Sequence, residues 1–109
     1  MVWVVPEELR QLAECSDTGL VEDLLATFRS DTARRLRVMR FALNGGERAS
    51  LRSEAHAVKG SAGQIGAPLM AAMCHQMEAK ALNAPVSELA TLMADIESAF
   101  VEVCGQMPQ

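Results

Sequence analysis

The chain has no tyrosine, and Trp3 and three phenylalanines are its only aromatic residues among 109. So few flat rings leave little on which nucleic-acid bases could stack. A net charge of −4 likewise gives no basic surface for a phosphate backbone, so nucleic acid is not an expected partner. Cys15, Cys74 and Cys104 are far apart, and no C-x-x-C pair occurs. An odd count without framework spacing predicts reduced thiols in a cytosolic setting, packed as small buried hydrophobes. No apolar run approaches the ~20 residues that cross a bilayer, so membrane insertion is not expected. The opening "MVWVVPEELR" lacks the basic flank and apolar length of a signal peptide. These absences predict a cytoplasmic protein.

No internal repeat, linker or low-complexity segment interrupts the chain, and no β-type alternation occurs. Half of the residues are hydrophobic and 22% are charged, which suits one folded domain spanning residues 1–109. Alanine, leucine, methionine and glutamate dominate, and all favour helices. Pro6 followed by Glu7 and Glu8 predicts a short helix over about residues 6–14. A long helix is predicted over 18–43, burying Val21, Leu25, Phe28, Thr32, Leu36, Met39 and Leu43. "NGG" at 44–46 ends it. The next helix, 47–65, carries a seam of Leu51, Ala55, Val58, Ala62 and Ile65. Gly66 and Pro68 mark a turn into a helix over 68–82, with Leu69, Met70, Met73, Cys74, Met77 and Ala81 inward. The last, 86–104, turns Leu89, Leu92, Met93, Ile96, Phe100 and Val103 to the core. Short connections imply antiparallel neighbours. The predicted fold is all-α, an up-and-down four-helix bundle with a short additional N-terminal helix, and a monomer is the simplest state.

One surface of the third predicted helix is unusual. With about 100° per residue, His56 projects roughly 140° away from the seam and therefore to solvent. Its helical neighbours are Arg52, Lys59, Gly60 and Gly63, so two cations and two missing side chains surround one imidazole. Imidazole has an ordinary pKa near ~6.5 and is a nucleophile at neutral pH. A phosphoryl group on its nitrogen would bring negative charge that Lys59 and Arg52 can offset. Glycine at position 60 gives up helix stability and leaves the ring open to a partner.

The stretch "HAVKGSAGQIGA" resembles the signature of the histidine-containing phosphotransfer (HPt) domain family, a histidine, two residues, Lys-Gly, small residues and a further glycine. Here these are His56, Lys59, Gly60, Ser61 and Gly66, with Cys74 and Glu78 following. The resemblance implies a helical bundle with the histidine mid-helix, and a phosphorelay intermediate of two-component signalling. His56 would accept a phosphoryl group on Nε2 from a receiver-domain aspartate and pass it to a response regulator. Lys59 would lie beside that group and Gly60 would admit the partner. Glu78 stands where some members carry a glutamine that hydrogen-bonds the other ring nitrogen. Leu9, Leu12 and Ala72 are, by the same analogy, apolar contacts of the docking face around Arg52 and Gly63.

No phosphate-binding loop of either nucleotide-binding type is present, nor acidic residues spaced to hold Mg²⁺. The chain is thus expected to be a phosphocarrier rather than an enzyme, with no cofactor of its own. Mg²⁺ is expected on the partner, a response-regulator receiver or a hybrid sensor histidine kinase. The phospho-accepting domain of a chemotaxis-type or hybrid kinase shares the same pattern, and a degenerate HPt domain that only binds is the remaining alternative. His75 has Glu78 and Ala79 where Lys and Gly are required, so it is read as a solvated rim residue. The arginines at 29, 34, 35, 37 and 40 are read as a solvated helix face, or else as steering charge for acidic receivers.

Overall fold

In the computed structural model, residues 6–7 and 18–107 are described. Among them are four helices and no strand: α1 (Thr18–Gly45), α2 (Arg48–Ile65), α3 (Pro68–Lys80) and α4 (Val86–Gln106). Each packs on the next, and α4 closes the ring against α1, while the backbones of the diagonal pairs stay further apart. The predicted short helix with Leu9 and Leu12, and also Cys15, lie outside the described residues.

Two turns set the register between α1, α2 and α3. Gly46 and Gly66 have φ of 74° and 86°, the left-handed conformation that a side chain resists. At the second, Ala67 N–H donates to Ala62 O at 2.8 Å and Gly66 N–H to Gly63 O at 3.3 Å. The same pair of bonds recurs where Glu47 N–H reaches Ala42 O at 2.8 Å and Gly46 N–H reaches Leu43 O at 3.4 Å. Both are Schellman closures, which satisfy carbonyls that a helix end would otherwise leave open. Pro68 then starts α3 in its first turn, where a missing N–H costs nothing.

The core follows the predicted seams closely in α2, where Leu51, Ala55, Val58, Ala62 and Ile65 are its buried residues. Methionines fill much of the rest: Met39, Met70, Met77 and Met93 are fully buried, and their unbranched side chains suit irregular gaps between helices. Leu69 departs from the expectation and is 46% exposed. The buried stripe of α3 is Met70, Cys74 and Met77, and Leu69 is about 100° off Met70. Val21, Met73 and Phe100 are only partly buried, packed on the core's edge. Thr32 is 1% exposed and its Oγ1 has no hydrogen-bond partner among the described residues. No helix among the described residues is long and apolar enough to cross a membrane.

Most of the arginines on α1 are tied down rather than left as a free basic face. Arg35 bridges Asp31 on its own helix and Glu54 on α2 at 2.9 Å, while Arg40 pairs with Glu97 on α4. Arg34 also holds Asp31, at 2.6 Å. Arg48, at the start of α2, donates to Ala81 O at 3.0 Å and Ala84 O at 2.7 Å. That clamp occupies carbonyls at the open end of α3 and fixes the α3–α4 turn against α2.

Candidate functional site

His56 lies mid-way along α2, on the face opposite the seam, and its side chain is 67% exposed. Leu51, Ala55 and Val58 are fully buried on the other side and hold that orientation. From α3, Glu78 comes up beside the ring: its Oε2 is 2.7 Å from His56 Nδ1. Its other oxygen, Oε1, accepts from Lys59 Nζ at 2.6 Å. One carboxylate therefore ties an imidazole and an ammonium, two residues of α2, to α3.

The electrostatics fix the proton. The Lys59 ammonium first, and then the His56 ring, hold the Glu78 carboxyl below the usual carboxylate range. Glu78 is therefore ionised at neutral pH and can only accept, so Nδ1 of the neutral ring carries the hydrogen. Nε2 keeps its lone pair and has no hydrogen-bond partner among the described residues. Such a ring can form a bond to an incoming electrophile at Nε2 while the carboxylate steadies the positive charge that develops.

Two clefts flank this group. One, of about 450 Å³, is lined by Ala49, Arg52, Ser53, His56, Glu78 and Leu82. The other, of about 480 Å³, runs past Arg52, Lys59, His75, Glu78 and Leu82. Arg52 is exposed and makes no hydrogen bond or ion pair among the described residues. A Cβ built at Gly60 or Gly63 meets nothing within 4 Å, so no packing within the bundle demands glycine there. Gly60 and Gly63 leave open surface on α2, and neither lines the two clefts.

The structure thus brings together His56, Lys59, Glu78 and Arg52. Ala72 is exposed on α3 but lines neither cleft. It is about 120° around that helix from Glu78. Two features escaped the sequence reading. The Lys59–Glu78 ion pair needs the mutual rotation of α2 and α3, which no single-helix pattern contains. Leu82 is one helical turn past Glu78, and that spacing was a usable signal. His75 is exposed and borders the Lys59 cleft, whereas Cys74 beside it is fully buried. Burial pushes the Cys74 thiol up to about 12, so it is an inert core residue.

Comparison with known proteins agrees with this all-helical bundle. The family described as "Hpt domain" matches residues 23–106. The crystal structure of histidine-containing phosphotransfer protein B (HptB) from Pseudomonas aeruginosa PAO1 matches with a TM-score of 0.80 and 31% sequence identity. That match covers 92% of this chain and 87% of the other. The histidine-containing phosphotransfer protein ZmHP2 from maize has the same TM-score of 0.80 at 19% identity, over 93% and 83% of the two chains. At that identity it supports the fold alone. The search of curated proteins found no match. The chain belongs to the Hpt domain family. It takes the histidine-phosphotransfer role in two-component phosphorelays, as a phosphocarrier rather than a classical enzyme.

Proposed function

We propose that His56 is the residue that carries the phosphoryl group, that Nε2 is the bonding atom, and that the donor and acceptor are aspartates of receiver domains. The observation that carries this reading is the Glu78 contact at 2.7 Å, which occupies Nδ1 and leaves Nε2 without a partner among the described residues, on a largely exposed side chain. In the forward step the Nε2 lone pair attacks phosphorus and the P–O bond to the receiver aspartate breaks. The aspartate leaves with the electron pair as a carboxylate. The ring keeps its Nδ1 hydrogen and becomes a phospho-imidazolium beside Glu78, so no proton has to be removed by a base. The return step reverses these bonds.

The receiver supplies the aspartate and the divalent metal, and this chain supplies a held, open nucleophile. Gly60 and Gly63 give the receiver's active-site rim a flat approach, and the exposed Leu82 offers apolar contact at the edge of the His56 cleft. A free cation at Arg52 complements the acidic rim that a metal-binding receiver presents. The cytoplasm is the compartment that fits this exchange.

The test is transfer itself. Receiver domains from the same genome, charged with acetyl phosphate, should label the chain with an acid-labile, base-stable phosphate. His56→Gln should abolish the label. Label surviving that substitution, or no transfer from any of those receivers, contradicts the reading.

A further inference from the structure

Resting on His56 as the phosphorylated residue, we propose that Arg52 is the cation that holds the phosphoryl group, and that Lys59 acts through Glu78 as a positioning residue. The family resemblance puts Lys59 beside the phosphoryl group. The geometry of this chain gives that lysine another partner.

Lys59 Nζ is 2.6 Å from Glu78 Oε1, and the two side chains are 31% and 20% exposed. A partly sheltered ion pair of this kind resists separation more than a fully solvated one. Pulling Lys59 away would also leave Glu78 Oε1 without its ammonium partner. The lysine charge is therefore committed to Glu78, which in turn holds Nδ1. Nδ1 and Nε2 lie on opposite edges of the imidazole, so a group on Nε2 points away from the Glu78–Lys59 pair.

Arg52 reaches the group within the cleft that His56 lines. Helical side chains lean towards the helix N-terminus, which carries the His56 ring over the turn of Arg52 and Ser53. The cleft that contains His56 is accordingly lined by Arg52 and Ser53, and Lys59 is absent from it. Lys59 borders the neighbouring cleft, which shares Arg52 and Glu78 with the first and which His56 does not enter. Arg52 has no acidic partner among the described residues. Its planar guanidinium offers several donors in a fork that matches phosphoryl oxygens, where an ammonium is a single point charge.

The test uses the full chain charged with phosphoramidate, a phosphoryl donor that needs no docking partner. Phosphorus NMR then follows the phospho-His56 resonance against pH, and ring-nitrogen NMR of the uncharged chain follows the tautomer. Arg52→Gln should move the phosphoryl titration up by about one pH unit, because a nearby cation favours the dianion. Its uncharged ring should show wild-type nitrogen shifts. Arg52→Lys should restore part of the phosphoryl shift. Lys59→Gln should move the phosphoryl titration by less than about half as much, yet alter the ring-nitrogen signature. In a Glu78→Gln background the released lysine should have a larger effect on the phosphoryl group than it has in the parent. A Lys59→Gln shift equal to or larger than that of Arg52→Gln in the parent chain overturns the assignment. So does an Arg52→Gln titration that matches wild type. Phosphate that persists in His56→Gln is a separate result, and removes the reading of His56 on which the proposal stands.

Discussion

Glu78 on α3 and His56 on α2 are 22 residues apart in sequence and 2.7 Å apart at Oε2 and Nδ1. The contact makes one ring nitrogen a donor to protein and leaves the other for chemistry. Glu78→Gln keeps an acceptor oxygen there, and Glu78→Ala removes it. The alanine variant should lose the Nδ1–H preference in ring-nitrogen NMR and slow receiver-to-chain transfer by about tenfold, with the glutamine variant between it and wild type. Equal rates in all three chains would show that the contact has no part in transfer.

Gly60 should show stability and function moving in opposite directions. Its added Cβ meets nothing within 4 Å, so Gly60→Ala should raise unfolding free energy by about 0.5–1 kcal/mol. Transfer from a receiver should slow, and slow further in Gly60→Leu, while circular dichroism stays helical. Denaturant titration and a transfer time course on the same samples check both halves.

Thr32 and Leu51 should respond with opposite signs. Thr32 buries a hydroxyl with no partner among the described residues, so Thr32→Val should stabilise by about 1 kcal/mol. Leu51 is fully buried in the seam that backs His56. Leu51→Ala should cost roughly 2–5 kcal/mol through the cavity it leaves. Chemical denaturation measures both.

The acid limb of stability should carry the Glu78 signature. Its folded carboxyl sits below the usual value, held there first by Lys59 and then by His56. The unfolded group titrates near ~4.3. A depressed folded value means the contribution is fully present above the unfolded pKa and is lost as pH falls through the folded one. The stability difference between wild type and Glu78→Gln should therefore shrink as pH falls below about pH 4. Asp31, lowered by Arg34 and then Arg35, has the same sign and is common to both chains. A difference that grew as pH fell below about pH 4 would contradict the ion pair.

Much of this architecture was legible because it depends on local rules. The α2 seam follows from helical spacing alone, and all five residues are buried. Gly46 and Gly66 mark helix ends because both occupy left-handed positions. Leu69 misled because hydrophobicity was read without rotation: it neighbours Met70 in sequence and faces away from it. The roles within the site were less accessible. His56 and Lys59 belong to one helix, and their shared face could be computed. That Lys59 is spent on Glu78 depends on how α2 and α3 are turned against each other, which the Arg48 clamp and the Gly66 turn decide.

The most direct measurement is the identity of the phosphorylated atom. The chain is charged by a phosphorylated receiver, and the site is mapped by proteolysis and phosphorus–nitrogen NMR. Phosphate on Nε2 of His56, with the hydrogen retained on Nδ1, is the predicted result. Phosphate on Nδ1, on His75, or on any residue other than His56 would contradict it.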